Sequence, residues 1–307
     1  MVSILVLGSI NMDLVVRTPH IPLPGETVLG SDFRTFPGGK GANQAVAAAR
    51  QGAKVTFIGR VGRDDFGLQL MDKLKSEGID TKYISVDDTS PSGIASITLD
   101  EHGENCIVVA PGANYTLTKN HINQAENAFK TADILLTQLE VPLEVIILAT
   151  KKASELGLKI VLNPAPAQVL PEELLGMVDI LIPNENECEI LSGLPVNALS
   201  DIEEASIALL NKGVGCVIVT MGYRGAFIKE LNQPGIHIPA FHVDVVDTTA
   251  AGDSFVGTLA VALAEGESIS GAVERSCAAG ALATTRLGAQ PSIPTRLDVF
   301  QLLKSED

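Results

Sequence analysis

Two alanines, a glycine and an aspartate stand directly ahead of a long apolar run in residues 245–264. Residues 258–264 are apolar on nearly every face, which predicts a buried helix that begins in this segment. Unpaired backbone N–H groups and the helix dipole favour an anion such as phosphate there, and Gly252 lets the anion approach closely. Asp253 can then take a proton from an attacking hydroxyl group. The spacing indicates phosphoryl transfer, although an acid in a first helical turn is also an ordinary cap.

Polar residues also follow two short apolar runs that are typical of buried strands. Asn11 and Asp13 come after residues 3–7, and Glu140 comes after residues 133–137. Ligands of α/β sheets bind beyond the carboxyl ends of the strands, where these side chains can hydrogen-bond the hydroxyl groups of a substrate. For Asn11 and Asp13, a solvated turn explains the same residue types equally well.

Residues 37–44 contain three glycines within four positions, ahead of a helix of small residues. Glycines at this density cost conformational entropy, which predicts that some group approaches the backbone closely. Lys40 and Asn43 would then be donors to a polyhydroxyl ligand. The segment lacks the Gly-Lys-Ser/Thr triplet of a P-loop, and its glycine spacing differs from a dinucleotide fingerprint. The alternative is a tight entry turn into the helix.

Two further segments have the residue types of a nucleotide site. Asn184 and Glu187 are three residues apart and hence neighbours on one helical face, which suits an outer-sphere Mg²⁺ site but also ordinary helix capping. Residues 220–225 form a glycine-containing turn whose backbone amides suit the phosphates or the sugar of a nucleotide. A plain hairpin turn explains this second segment equally well.

Short apolar runs alternate with helical patterns along most of the chain. The runs are typical of buried parallel strands and cover residues 3–7, 54–58, 133–137, 159–162, 179–182 and 216–220. The helical patterns cover residues 44–51, 67–77, 143–156 and 202–212, and they are followed by Gly52, Gly78, Gly157 and Gly213 at the usual stop position. This alternation predicts an α/β fold, a doubly wound, mainly parallel sheet flanked by helices.

Two stretches interrupt the alternation. Residues 14–37 are rich in turn residues and have short β-like pieces at 14–17, 27–29 and 33–36, while residues 92–110 have the pattern of a hairpin with a polar turn at 100–104. Together they predict a small β-sheet lid, formed by about residues 12–37 and 92–110, on a single domain that spans residues 1–307. One face of such a sheet needs cover by substrate, a second subunit or both, which predicts a homodimer.

Composition argues against several classes of protein. The chain has 307 residues, 46% of them hydrophobic, and its net charge of −15 argues against binding to nucleic acid. The sequence lacks the run of about 18 apolar residues expected of a membrane span, and its N-terminus lacks the features of a signal peptide. The four cysteines show no Cys-x-x-Cys spacing, which predicts reduced thiols in the cytoplasm and no zinc site.

Taken in order, the motifs resemble those of the ribokinase family of sugar kinases (the PfkB type) over essentially the whole chain. Residues 247–253 are similar to its C-terminal signature, residues 38–44 to its N-terminal signature and residues 184–187 to its magnesium motif. Residues 8–13, 163–167 and 288–292 resemble the members that act on ribose. The resemblance implies ATP-dependent phosphorylation of D-ribose at O5, giving D-ribose 5-phosphate and ADP. Relatives that act on 2-deoxyribose or on nucleosides share most of these motifs, so those substrates stay open.

The resemblance also implies roles for individual residues. Asp253 would be the catalytic base, and the amides of Ala250, Ala251 and Gly252 would form an anion hole. The residues implied in sugar binding are Asn11, Met12, Asp13, Gly39, Lys40, Gly41, Ala42, Asn43, Glu140 and Asp253. Those implied in nucleotide binding are Asn184, Glu187, Thr220, Met221, Gly222, Tyr223, Arg224, Gly225, Gly252, Asp253 and Cys277, the last at a position often held by a polar or imidazole side chain.

Two cations are implied together with ATP. Mg²⁺ would accompany the nucleotide, and K⁺ would lie beside the anion hole. The positions that match the K⁺ site, mostly through backbone carbonyl oxygens, are Asp247, Thr249, Ala283, Arg286, Gly288 and Ser292. A sugar-binding regulator that lacks catalysis is the competing class of protein. The intact Gly252–Asp253 pair argues against it, because a binder has no need of the base.

Overall fold

A computed structural model describes residues 1–102 and 104–305 of the chain. Its strands are β1 (Ser3–Leu7), β2 (Asn11–Arg17), β3 (Asp32–Gly38), β4 (Lys54–Gly62), β5 (Asp80–Asp87), β6 (Gly93–Leu99), β7 (Asn105–Ala110), β8 (Ile134–Thr137), β9 (Lys159–Leu162), β10 (Ile180–Leu181), β11 (Cys216–Thr220), β12 (Ala226–Glu230) and β13 (Ile236–Ile238). Its α-helices are α1 (Lys40–Arg50), α2 (Asp65–Ser76), α3 (Lys119–Gln124), α4 (Glu126–Phe129), α5 (Leu143–Glu155), α6 (Glu172–Leu175), α7 (Glu185–Ser192), α8 (Leu199–Leu210), α9 (Ala251–Ala264), α10 (Ile269–Ala283), α11 (Ala289–Ser292) and α12 (Arg296–Ser305). Short 3₁₀ turns lie at Gly112–Thr116 and Gly222–Arg224.

The large sheet has the strand order β13-β12-β11-β10-β9-β8-β1-β4-β5. The strands from β11 to β5 run parallel, and β12 and β13 extend one edge in antiparallel fashion. The predicted doubly wound, mainly parallel sheet is therefore confirmed. From β1 the chain builds outward through β4 and β5, and it later returns to β8 on the other side of β1. Ligands of such sheets bind beyond the carboxyl ends of the strands at this switch point.

Both faces of the large sheet are buried, and the side chains of successive residues in β1 point to opposite faces. Ile4 and Val6 pack in the cluster that includes α1 and α9, whereas Leu5 and Leu7 pack in the cluster that includes α5 and α8. Burial on both faces explains why the central strands are continuous apolar runs. The edge strand β5 is absent from the predicted strands because polar residues interrupt its apolar pattern.

The small sheet has the order β3-β2-β6-β7. The predicted hairpin is confirmed as β6 and β7, and the predicted pieces at 14–17 and 33–36 lie within β2 and β3. The predicted strand at 27–29 is wrong, because β2 pairs along its whole length with β3 on one side and with β6 on the other. The polar turn predicted at 100–104 contains Gly103, which lies outside the described residues.

The helix predicted over residues 258–264 is confirmed as part of α9, which is buried from Asp253 to Leu263. The four predicted helix stops are also confirmed. Gly52, Gly78, Gly157 and Gly213 have φ angles of 95°, 76°, 74° and 101°, in the left-handed region that favours glycine. Among the described residues, no helix has the length and apolar character needed to cross a bilayer.

Candidate active site

The N-terminus of α9 has the form that the sequence predicts for an anion site. Its N-cap, Ala250, has a φ of 60°, and an alanine in this left-handed region costs about 1 kcal/mol or more. The first intrahelical bond runs from the Ser254 amide to the Ala250 carbonyl oxygen, at 2.8 Å, so the amides of Gly252 and Asp253 precede the helical ladder. The Ala251 amide makes a longer bond of 3.3 Å to the Thr248 carbonyl oxygen.

Gly252 faces open space at this helix end. A Cβ atom built there would have no described atom within 4 Å, so packing among the described residues does not require a glycine. Gly38, Gly39, Gly41 and Gly257 differ in this respect, because a Cβ atom at each would lie within 3 Å of another part of the protein. Gly252 therefore leaves room for a ligand against the helix N-terminus.

The Asp253 carboxylate is buried and accepts a hydrogen bond at each oxygen. Asn43 Nδ2 donates to Oδ2 at 2.9 Å, and Gln44 Nε2 donates to Oδ1 at 3.0 Å. The sequence predicts a ligand-binding role for Asn43 but gives Gln44 none. Both donors lie in the first turns of α1, so this helix fixes the orientation of the proposed base.

Close packing of α1 against α9 brings these donors to Asp253. A Cβ atom at Gly257, one turn after Asp253, would lie 2.5 Å from the Gln44 carbonyl oxygen and 2.6 Å from Ala47 Cβ. Any larger residue at position 257 would separate the two helices. The small residues of α1 and α9 therefore let the two helices approach closely, and this approach brings Asn43 and Gln44 within hydrogen-bond distance of Asp253.

Lys40 stands among four carboxylates at this end of the sheet. Burial acts to lower the pKa of Lys40, but Asp253, Glu140, Glu187 and Asp13 together raise it, so its side chain stays charged. The four carboxylates come from residues predicted to bind the sugar and the nucleotide. They are far apart in sequence, and the fold brings them together around the ammonium group of Lys40.

The carboxyl group of Asp13 is strongly perturbed in this cluster. Burial, and then the charges of Glu140 and Asp253, raise the pKa of Asp13 to about 7, with Lys40 opposing the shift. Asp13 therefore changes its charge near neutral pH in the ligand-free protein.

The glycine-rich segment is explained by contacts within the protein. Cβ atoms at Gly38, Gly39 and Gly41 would lie 2.2 Å from Asp13 Oδ2, 2.7 Å from the Asn11 nitrogen and 2.6 Å from the Ser9 nitrogen, respectively. The groups that approach these glycines belong to the segment after β1. The predicted close approach to this backbone is confirmed, with protein as the approaching group, and the segment is also a tight entry turn into α1. The ligand-binding roles of Lys40 and Asn43 stay predictions.

Four of the predicted sugar-binding residues, Met12, Gly41, Ala42 and Glu140, make contacts within the protein. Met12 is buried in the hydrophobic core, and Gly41 and Ala42 donate their amides to the Ser9 hydroxyl and carbonyl oxygens at 3.3 and 2.9 Å. Glu140 Oε2 accepts from the Ser9 hydroxyl group and, at 3.1 Å, from the Lys40 amide. These contacts join the end of β1 to the N-terminus of α1.

Asn11 is held by a residue that the sequence analysis does not identify. Its Oδ1 accepts from Asn114 Nδ2 at 2.7 Å, and Asn114 Oδ1 in turn accepts from the Ile10 amide at 2.9 Å. The Asn11 oxygen is thus engaged by Asn114, which sets the orientation of the amide. Asn114 lies just beyond β7, more than 100 residues from Ile10 and Asn11, so no local pattern indicates these contacts.

Asn184 and Glu187 form a capping box at the start of α7, which confirms the alternative considered from the sequence. Asn184 Oδ1 accepts from the Glu187 amide, and Glu187 Oε2 accepts from the Asn184 amide, both at 2.8 Å. Both residues nevertheless line the same cavity as Lys40 and Asp253. Burial raises the pKa of Glu187, an effect that the Asn184 amide and Lys40 only partly offset.

Two adjoining cavities meet at the N-terminus of α9. The first, of about 530 Å³, contains Lys40, Glu187 and Asp253 in its wall; the second, of about 520 Å³, is lined mainly by apolar groups, among them Phe255 and Cys277. The residues that line both are Thr220, Gly222, Thr248 and Gly252. Burial, and then Glu274, raise the pKa of Cys277 to about 12, so its thiol stays protonated.

The predicted nucleotide turn divides between cavity wall and framework. Thr220, Gly222, Tyr223 and Gly225 line the second cavity. Met221 instead lies in the hydrophobic core, and Arg224 pairs with Glu185. The side chains of Met221 and Arg224 are thus directed to the protein framework.

Asp247 fastens the loop before α9 to the segment after α10. Its Oδ1 accepts from the Thr249 amide at 2.9 Å, and its Oδ2 accepts from the Gly288 amide at 2.8 Å. Of the other residues predicted at the K⁺ site, Ala283 and Ser292 are buried and Arg286 is exposed. Within the described part of the chain, no group of three or more His, Cys, Asp or Glu side chains is arranged to hold a metal ion.

Known proteins resemble this chain over almost its whole length. The sequence profile of the pfkB family of carbohydrate kinases matches residues 1–296. A ribokinase of Haemophilus influenzae is 43% identical over 302 residues, which cover 98% of each chain. A deoxyribokinase of Salmonella typhi is 37% identical over 95% of this chain and 96% of its own. The structure of an Arabidopsis thaliana ribokinase complexed with ribose and ATP superposes with a TM-score of 0.91, at 32% identity and 99% coverage of both chains.

Proposed function

Because the chain belongs to the pfkB family of carbohydrate kinases, we propose that it transfers the γ-phosphoryl group of ATP to the 5-hydroxyl group of D-ribose. The products are D-ribose 5-phosphate and ADP. The observation that carries this proposal is the position of Asp253, a buried carboxylate at a helix N-terminus where a charged cavity meets a more apolar one. The similarity to ribokinases supports ribose as the acceptor.

The sugar binds where β1 ends, among Asp13, Lys40 and Asn43. An ionised Asp13 accepts hydrogen bonds from sugar hydroxyl groups, and Lys40 donates to sugar oxygens while it balances the surrounding carboxylates. Because Asn114 engages Oδ1 of Asn11, the Nδ2 group of Asn11 is the donor left for the sugar.

Asp253 takes the proton of the 5-hydroxyl group as the hydroxyl oxygen attacks the γ-phosphorus. The bond from that phosphorus to the bridging oxygen breaks, and ADP leaves with the electron pair. The amides at Ala250–Gly252, together with Lys40, stabilise charge on the transferred group. These groups are oriented before the reaction, so positioning and electrostatics supply most of the acceleration.

The residues around Glu187 fit Mg²⁺ bound through water and phosphate. One Glu187 oxygen caps α7, while the carboxylate lies near Lys40 and Asp253 in the cavity wall. Mg²⁺ prefers oxygen ligands and retains several waters, so one buried carboxylate beside the phosphates suffices. Bound there, Mg²⁺ would neutralise charge on the nucleotide, while Asn184 and Glu187 would orient its waters.

The loops at Asp247 and Gly288 fit a monovalent cation. Asp247 joins them by hydrogen bonds, and the surrounding candidates offer carboxylate and carbonyl oxygens, which suit a hard cation. Asp247, Thr249, Ala283, Arg286, Gly288 and Ser292 are the residues that would hold K⁺. A positive charge there would add to the field at the N-terminus of α9.

The second candidate acceptor is 2-deoxyribose, which the similarity to a deoxyribokinase favours. A panel of ribose, 2-deoxyribose, hexose phosphates and nucleosides, assayed for ADP release with Mg-ATP and K⁺, separates these possibilities. We expect the highest kcat/KM with D-ribose and a phosphate ester on C5 by ³¹P NMR. Faster turnover of 2-deoxyribose or of a nucleoside would reject ribose as the principal substrate, and sugar binding without ADP release would indicate a regulator.

We also propose a homodimer formed through the small sheet, in a cytoplasmic protein with reduced thiols. All residues of β7 are exposed, including Ile107, Val108 and Val109, and Phe33 on β3 is exposed as well. An apolar edge strand of this kind is normally covered in the working protein.

A further inference from the structure

We propose that Gln44, held in place by Gln138, is the positioning residue for Asp253. This inference rests on the proposed function, in which Asp253 is the base. It assigns the two carboxylate oxygens different tasks. Oδ1 is fixed by Gln44, and Oδ2 receives the proton of the sugar hydroxyl group.

The orientation of both glutamines follows from the charge of Asp253. An ionised carboxylate only accepts hydrogen bonds, so Gln44 must present its NH₂ group, which it does at 3.0 Å from Oδ1. The Gln44 Oε1 atom then accepts from Gln138 Nε2, at 2.6 Å. The reverse orientation of Gln138 would place two oxygens against each other. The charge of Asp253 therefore fixes the direction of both amides.

The two glutamines are enclosed by the protein. Both are fully buried, where amide groups are costly unless they are hydrogen-bonded, and Gln138 Oε1 has no partner among the described residues. The bond from Gln138 Nε2 to Gln44 is thus what holds the Gln138 amide. Gln138 follows β8 directly, beside the switch point of the large sheet, and Gly8 makes room for it, since a Cβ there would lie 2.2 Å from Gln138 Oε1. Gln44 Nε2 also donates to Asn163 Oδ1, at 3.0 Å, which ties it to the end of β9.

The two donors to Asp253 differ in what else they can contact. Asn43 belongs to the proposed sugar site, and in exchange for a sugar hydroxyl group it can leave Oδ2. Gln44 has its oxygen occupied by Gln138 and its nitrogen shared with Asn163, so it stays on Oδ1. Proton transfer then goes to Oδ2 as the new oxygen–phosphorus bond forms and the bond to the ADP oxygen breaks.

Substitution of Gln44 by methionine tests this inference, because it keeps the length of the side chain and removes the amide. We expect kcat to fall about 10- to 100-fold, as for loss of a hydrogen bond to a charged group, while KM for ribose changes little. The acidic limb of the kcat pH profile, measured with both substrates saturating so that Asp13 is already bound to sugar, should move to higher pH. The other charged groups around Asp253, namely Lys40, Asp13, Glu140 and Glu187, stay in place in this variant.

A double-mutant cycle with Gln138→Met separates positioning from packing. Gln138→Met should reduce kcat by a smaller factor and move the pH profile in the same direction, and the double variant should be no worse than Gln44→Met. Gln51→Met is the matched control, since Gln51 is a buried glutamine that contacts Arg275 outside the site; it should leave the pH profile unchanged.

Additive losses, or variants with the pH profile of the wild type, would overturn the inference. If Gln44→Met does not fold, the pH profile of Gln138→Met alone tests the inference. The assays use whichever sugar the wild type phosphorylates fastest. An acceptor other than ribose would therefore count against the proposed substrate and leave the test of Gln44 intact.

Discussion

Asp13 shows how a single buried carboxyl group links ligand binding to stability. Its pKa is about 7 in the folded, ligand-free protein, against 3.8 in its ordinary state. Between these values the folded state holds a proton that the unfolded state has lost, so the free energy of unfolding falls as pH rises through this window. In the proposed sugar site the ionised form of Asp13 accepts hydrogen bonds from hydroxyl groups, which would account for an aspartate at this costly position.

Replacement of Asp13 by Asn should therefore stabilise the ligand-free protein at high pH. We expect the variant's Tm to exceed that of the wild type by several degrees at about pH 8 and by much less near pH 4, with loss of ribose binding at about pH 8. Thermal unfolding at the two pH values measures the difference, with exposed Asp72→Asn as control. A Tm difference that does not change with pH would show that burial does not raise the pKa of Asp13.

Gly252 and Gly257 should respond in opposite ways to the same added methyl group. Gly252→Ala meets open space, so stability should be equal or higher by up to about 1 kcal/mol, while kcat should fall on the order of 100-fold because the methyl group enters the anion site. Gly257→Ala should instead lower Tm, since its Cβ would collide with α1. Urea unfolding and steady-state kinetics on both variants check the contrast. A fully active Gly252→Ala enzyme would contradict the proposed anion site.

At the scale of elements, α1, α7 and α9 direct their N-termini to one end of the sheet. The start of α7 carries two tasks, because Glu187 caps the helix and also faces the cavity. Glu187→Gln separates them, since glutamine keeps an acceptor for the Asn184 amide and removes the charge. We expect Tm to change little, while the Mg²⁺ concentration for half-maximal activity rises about 10-fold or more. Glu189→Gln, on the same helix, is the control and should leave the Mg²⁺ dependence unchanged. An unchanged Mg²⁺ dependence in Glu187→Gln would show that Glu187 only caps the helix.

Sequence was sufficient to predict those elements whose pattern is local. The strands at Ser3–Leu7, Lys159–Leu162 and Cys216–Thr220 follow from apolar runs, and the end of α1 follows from Gly52. The cluster around Lys40 was only partly predictable, because its members are brought together by the sheet. Gln44 and Gln138 are 94 residues apart, and no spacing along the chain indicates that they meet. The same applies to Asn114, whose contact with Asn11 exists only once the small sheet has formed.

For the whole molecule, the exposed apolar residues of the small sheet predict a dimer. Light scattering should give a mass twice the 32.2 kDa of the chain at micromolar concentration. Val108→Asp on β7 should shift the protein to monomer, whereas Leu297→Asp, at an equally exposed position on α12, should not. A wild-type monomer would contradict the proposed interface and leave the small sheet to be covered by substrate alone.

The role of Asp253 is tested most directly by Asp253→Asn, assayed for ³²P transfer from ATP to ribose and, by calorimetry, for ribose binding. We predict that ribose still binds, while kcat falls by a factor of about 10²–10⁴, because the base and its charge are both lost. Asp72→Asn should retain full activity. An Asp253→Asn enzyme that phosphorylates ribose within a few-fold of the wild-type rate would show that the proton goes elsewhere and would contradict the account.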